Sequence, residues 1–217
     1  MIAGVSVQVG SEAVVVTSKE PLRVLSSAVH HGGLAEARAI VNLHVRKNDP
    51  CADPSGMIET FARGAGAPAP WVGLLTGAHT ERAVQAEEAA GGFHALAVVT
   101  VGLSNLVAAG RSPVATWAAS TINTIVVVDA DPGPAALVNA VITVTEVKGL
   151  ALRDAGLPAV DGMPASGTST DAVAIAATGR RSRARFGGPA SEMGWVVARA
   201  VRVALDQAIA AWQERHR

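Results

Sequence analysis

Six consecutive residues, Ser166-Gly167-Thr168-Ser169-Thr170-Asp171, gather four hydroxyls and a carboxylate around one glycine. Apolar segments flank them at about 135–152 and 189–212, so this polar stretch must lie at an edge or mouth of the core. Backbone N–H groups and hydroxyls in such a loop can hold an oxyanion, and a carboxylate can move a proton. The same residue types also build ordinary surface turns, so the loop alone does not define a site.

Other polar groups stand at strand ends or inside apolar segments. His30 and His31 directly follow an expected strand, just before Gly32-Gly33. Neighbours on a strand face opposite ways, so the pair could share a metal only if the glycine turn swings one round. Neither His-X-His nor His-Glu-X-X-His occurs, and no metal site is expected. Ser104-Asn105 and Thr121 with Asn123 border two apolar strands, where they can cap a turn or hold an amide. Glu146 and Lys148 interrupt a very apolar helix and must find a partner, a polar cavity or the helix end. Two positions apart, they do not pair with each other. A buried Glu146 would be a candidate general base. Walker, Gly-X-Gly-X-X-Gly and Gly-X-Ser-X-Gly patterns are absent. This polar set suits hydrolysis or amide recognition better than redox chemistry.

The 217 residues are 49% apolar and 17% charged, enough for one well-filled domain. Eighteen basic and eighteen acidic residues cancel, so no field of one sign attracts nucleic acid. Arg180, Arg181, Arg183 and Arg185 form the only basic cluster along the chain and read as a solvated loop. One cysteine, Cys51, excludes an internal disulfide or a cysteine metal cage. The start, Met1 to Val5, lacks the pattern of a signal peptide, and no uninterrupted apolar run reaches the ~18 residues of a membrane span. A soluble, cytoplasmic protein without membrane contact is expected. With no tyrosine, phenol chemistry is excluded.

Residues 2–9 and 13–17 predict a hairpin about Gly10-Ser11-Glu12, and Leu22–Val29 a third strand. Residues 37–45 read as a strand with one polar face, Pro54–Arg63 as a helix, and Trp71–Leu75 as a strand. Arg82–Ala90 favours helix by propensity, with an edge strand as the alternative. His94–Val101 and Ile122–Val128 are apolar strands, the latter central. Asp129-Ala-Asp131-Pro132 is expected to cap a helix near 133–155, apolar almost all round and so deeply buried. A strand at Ala172–Ala177 and a helix near 189–215 complete the chain. The expected class is α/β, with α+β as the alternative: a single layered domain over 1–217, with a mixed sheet and long buried helices.

Six segments occur in a telling order: Leu25-Ser-Ser-Ala-Val-His-His-Gly-Gly-Leu34, Thr100-Val-Gly-Leu-Ser-Asn105, Ser120-Thr-Ile-Asn-Thr-Ile-Val126, Thr145-Glu-Val-Lys148, Gly167-Thr-Ser-Thr-Asp171 and Phe186-Gly-Gly-Pro-Ala-Ser-Glu-Met-Gly194. Together the chain resembles the adenosylcobinamide amidohydrolase family. It departs at Ser169 and Ser120, where the family pattern has glycine. The resemblance implies hydrolysis of the amide joining aminopropanol to the corrin ring, giving adenosylcobyric acid for cobamide salvage. It implies a corrinoid substrate that brings its own cobalt, no further cofactor, and leaves room for a homo-oligomer. The candidate catalytic residues are Glu146, Asp171, His30 or His31 as activators of water. Thr168, Thr170 or Ser104 are nucleophiles of a covalent alternative. Candidate substrate-binding residues are Ser104, Asn105, Asn123, Lys148, Gly167, Thr170, Ser191 and Glu192. A corrinoid- or small-molecule-binding protein without catalysis is the competing class.

Overall fold

The computed structural model describes residues 1–46, 49–114 and 120–216. Val5–Val9 (β1) and Ala13–Ser26 (β2) form the expected hairpin, in register from Val9↔Val14 to Val5↔Ser18. The separate third strand is not there: Leu22 to Ser26 is the far half of β2. The register against Gly33–His44 (β3) slips between Thr17 and Leu22, where Pro21 offers no N–H, so the strand bulges and bends without ending. Pro54–Gly64 (α1) starts on its predicted proline, with Asp53 accepting from the Gly56 N–H. Trp71–Thr76 (β4) follows, then a single 3-10 turn, Thr80–Arg82.

Val84–Ala90 (β5) is the edge strand, not the helix that propensity favoured. Gly91 and Gly92, at φ +59 and +83, make a two-residue turn that commits this segment to pair with Phe93–Val101 (β6). Pairing and the half-buried alternation outweigh a weak helical preference. Leu106–Val107 (β7), Ile122–Val128 (β8) and Asp131–Pro132 (β9) precede the long helix Pro134–Asp154 (α2). Gly167–Thr168 (β10), Ala172–Ala177 (β11), Arg183–Ala184 (β12) and Glu192–Arg215 (α3) complete the order.

The main sheet runs β4-β3-β2-β11-β8-β6-β5, with β1 on β2. β3–β4 and β8–β11 are parallel pairs and the rest antiparallel, so the sheet is mixed. Because β2 bends, the β2–β4 half folds back over the β11–β8–β6 half. Val14, Val16, Ile40 and Leu74 of one half share a core with Ile125, Val127 and Val98 of the other. α1 covers the outer face of the first half through Ile58 and Ala62, while α2 and α3 cover the second. Four layers result, helix–sheet–sheet–helices, and β8 is buried along its whole length.

Two expectations for α2 are corrected. Gly133 occupies the N-cap without a side-chain bond, leaving Pro134 to open the helix in place of an aspartate cap. Nor is the helix buried all round: Val138 and Ile142 are each 49% exposed and Leu150 42%. Its neighbours, the main sheet, β9, β10 and α3, do not enclose a full cylinder. By length and composition α2 could cross a membrane, yet its other face packs on β11 and α3 as a core helix does.

Candidate functional site

Asp171 stands where the polar loop enters β11, at the level where Ala172 pairs with Asn123. Its side chain is 9% exposed and takes four donors. Oδ1 accepts from the Ile122 N–H at 2.9 Å and from the Thr168 hydroxyl. Oδ2 accepts from the Thr168 N–H at 3.0 Å and from the Lys148 ammonium, itself 11% exposed. A carboxylate held this way has no lone pair left over to take a proton from water. It is better placed to orient than to act as the base expected of it.

The loop is pinned on both sides. β10 pairs with β7, and Ser166 Oγ accepts from the Ala109 N–H at 2.8 Å. Thr121 Oγ1 donates to the Thr170 carbonyl at 2.7 Å, and Thr170 Oγ1 donates to the Ser120 carbonyl at 3.3 Å. The two positions that depart from the family pattern both make bonds. Ser169 Oγ accepts from Asn105 Nδ2 at 2.7 Å, and Ser120 Oγ from the Ser104 N–H at 3.1 Å. Thr170 and Asp171 meet a cavity of about 310 Å³, lined also by Ser27, Thr121, Thr76 and Cys51. Burial and the neighbouring Asp49 push the Cys51 thiol up, which keeps it protonated and poorly nucleophilic at neutral pH.

The structure gathers Lys148, Gly167, Thr168, Thr170, Asp171 and Asn105 around this loop. Asn123 faces inward between the two sheet halves. Its Nδ2 donates to Asn42 Oδ1 at 2.8 Å and to the Leu75 carbonyl at 2.9 Å, and Asn42 Nδ2 donates to Thr100 Oγ1 at 3.0 Å. Asn42 escaped the sequence reading because it lies in what looked like the polar face of a strand. Only the fold-back of β3 over β8 makes that face interior. Asn123 is a buried strut, with Thr121 Oγ1 lying 3.2 Å from its Oδ1.

Several candidates lie elsewhere. Glu146 is exposed, not buried: two residues from Lys148 on a 3.6-residue helix, it points about 200° away. Ser191 is the N-cap of α3, donating to the Gly188 carbonyl at 2.7 Å and accepting from the Gly194 N–H at 3.1 Å. Glu192 is exposed beside Gly91, at the opposite end of β6 from the Val101↔Ile122 pair that adjoins Asp171. Ser104 lines a neighbouring hollow.

His30 is 2% exposed and packs under α1, its Nδ1 2.9 Å from Ser55 Oγ. His31, at φ +52, is exposed and bonds the Trp71 carbonyl at 3.0 Å. Their rings lie 4.1 Å apart, and among the described residues no group of metal-ligating side chains is present. Burial, then the adjacent His31, holds the His30 imidazole below its ordinary 6.5, with Glu59 opposing. As pH falls through 6.5 the unfolded chain takes up a proton that folded His30 refuses, so stability drops until the lower, folded value is passed. Thermal unfolding midpoints should therefore fall by a few degrees on mild acidification. His30→Gln should flatten that dependence, and an equally steep fall in the variant would refute this assignment.

Fold and site define a four-layered α/β protein with a clamped Asp–Lys–Thr cluster beside a cleft. The sequence profile of adenosylcobinamide amidohydrolase matches residues 2–217, and the chain belongs to that family. An adenosylcobinamide amidohydrolase of Methanosarcina mazei is 34% identical over 146 residues. The match covers 67% of this chain and 65% of the relative's length. Among solved structures, the PH0078 protein of Pyrococcus horikoshii OT3 shares the fold at TM-score 0.53 and 11% identity, covering 97% of this chain and 80% of that one. A Burkholderia sp. beta-aminopeptidase overlaps at TM-score 0.47 and 13% identity, over 94% and 80% of the two chains.

Proposed function

We propose that the chain hydrolyses the amide joining aminopropanol to the corrin ring of adenosylcobinamide, releasing adenosylcobyric acid for corrinoid salvage. The observation that carries this reading is the clamp on Asp171, which fixes the Lys148 ammonium and the Thr168–Thr170 loop beside a cavity rimmed with hydroxyls. Negative charge grows on the amide oxygen as the carbonyl is attacked. The fixed Lys148 ammonium, with N–H groups beyond the one bonded to Asp171, stabilises that charge without having to reorganise. Asp171 then acts by holding this ammonium in place; water adds to the carbonyl carbon, and its proton passes to the nitrogen as aminopropanol departs and the carboxylic acid is left.

One observation favours a covalent route as the second reading: the Thr168 hydroxyl donates directly to Asp171, the arrangement of a nucleophile beside its base. Thr168→Ala separates the two. Loss of one supporting donor should slow release of aminopropanol by about tenfold. Loss of a nucleophile would abolish it, and the parent enzyme quenched during turnover would carry a corrinoid acyl group on Thr168, visible by intact mass. Incubation with adenosylcobinamide tests the function itself. Released aminopropanol supports the hydrolase; a spectral change of the corrinoid without release would show a binding protein.

A further inference from the structure

A second cavity, of about 380 Å³, opens beside the first. Gly77 lines both, and Ser120 of the second directly precedes Thr121 of the first. Arg82 and His79 reach it from the 3-10 turn after β4, and Arg215 and His216 from the end of α3, with Trp212 and Ser104 as further walls. The residues of the turn and of the helix end are distant in sequence and converge only in the fold. His216 is fixed by stacking on Trp212 at 3.9 Å and by the Trp212 carbonyl at 2.7 Å from its Nδ1. His79 stacks on His44 at 5.8 Å and bonds Glu81 at 3.1 Å. Among the described residues neither Arg82 nor Arg215 has a carboxylate within ion-pair distance. Glu81 bonds His79 and also feels the charge of Arg82, and Arg215 offsets the partial negative charge at the carbonyl end of α3.

Two guanidinium groups facing one concavity draw anions to it, because their fields add there. Two guanidinium forks, each presenting paired N–H groups, exceed what the two oxygens of a carboxylate can use. A phosphate presents three or four oxygens and matches the guanidinium fork. We propose that this second cavity binds a phosphate group, either free phosphate or a phosphate monoester.

Calorimetric titration of the full chain with inorganic phosphate, and separately with methyl phosphate, at low ionic strength tests this in the absence of any corrinoid. Failure here would therefore leave the amide-cleaving reading untouched. Saturable binding is expected, weakened about tenfold by Arg82→Gln or Arg215→Gln and about a hundredfold by both, as for charge-assisted hydrogen bonds. Arg153→Gln, altering an exposed arginine outside this cavity, should bind like the parent. Tighter binding of methyl phosphate would assign the cavity to a phosphate ester, and equal binding to the oxyanion alone. No saturable binding of either, or unchanged binding in the double variant, would overturn the proposal.

Discussion

Asp171→Asn should release aminopropanol from adenosylcobinamide at least about a hundredfold more slowly than the parent protein. All four donors to Asp171 point at carboxylate oxygens. An amide offers one oxygen and replaces the other with an NH2 group. That group must then face either the Ile122 N–H and Thr168 hydroxyl or the Thr168 N–H and the Lys148 ammonium. Either way, donors confront donors. Lys148, only 11% exposed, loses its counter-charge and must swing toward water, carrying away the charge proposed to stabilise the oxyanion. The variant should also lose about 1–3 kcal/mol in denaturant unfolding, the cost of leaving buried donors unmatched. Glu146→Gln is the companion measurement. Its carboxylate is exposed on the far side of α2, so the rate should stay within about twofold of the parent. Full activity in Asp171→Asn would remove the cluster from the mechanism.

Gly167→Ala should reproduce much of that loss without touching any ionisable group. Gly167 is not among the glycines with positive φ, so alanine can adopt its backbone. Space is what fails: a Cβ would fall inside the contact radius of Asp171 Oδ2 and 2.9 Å from Lys148 Nζ. The ion pair must open or the β10–β7 pairing must give way. A fall in rate of at least about tenfold and a stability loss of about 1–3 kcal/mol are expected, as for overpacking a closed site. Gly149→Ala provides the contrast. It lies in α2 with only the Ser166 carbonyl near, at 4.0 Å, and should be neutral or up to about 1 kcal/mol more stable. Equal activity in Gly167→Ala and the parent would show that the Asp–Lys contact does not govern the reaction.

Much of this architecture was legible in local chemistry. The apolar run Ile122–Val128 could only be a central strand, and it is. Pro54 announces α1, and α3 lies within the expected span, capped by Ser191. Where local signals misled, a neighbour decided. Val84–Ala90 has helical propensity but pairs with β6 through a Gly91-Gly92 turn. Leu22–Ser26 looked like a separate strand because Pro21 interrupts the pattern, yet the chain bulges there and continues. Glu146 and Lys148 were equally intrusive in sequence, and only the docking of α2 on β11 put one in solvent and the other on Asp171.

The family order of motifs and the polar loop 166–171 were determined by sequence alone, because turn-forming hydroxyls between apolar segments have nowhere else to lie. Tertiary structure decided what the loop's carboxylate touches. Spacing along the chain cannot say which donors surround Asp171, and four of them close on its carboxylate. The same holds for charge. The arginine run at 180–185 looked like the one basic cluster, yet Arg180 and Arg181 reach Asp129 at 3.3 and 2.5 Å and serve the fold. The cations that converge on an open cavity, Arg82 and Arg215, stand 133 residues apart (215 − 82). Electrostatic fields depend on distance in space, and only the folded chain sets that distance.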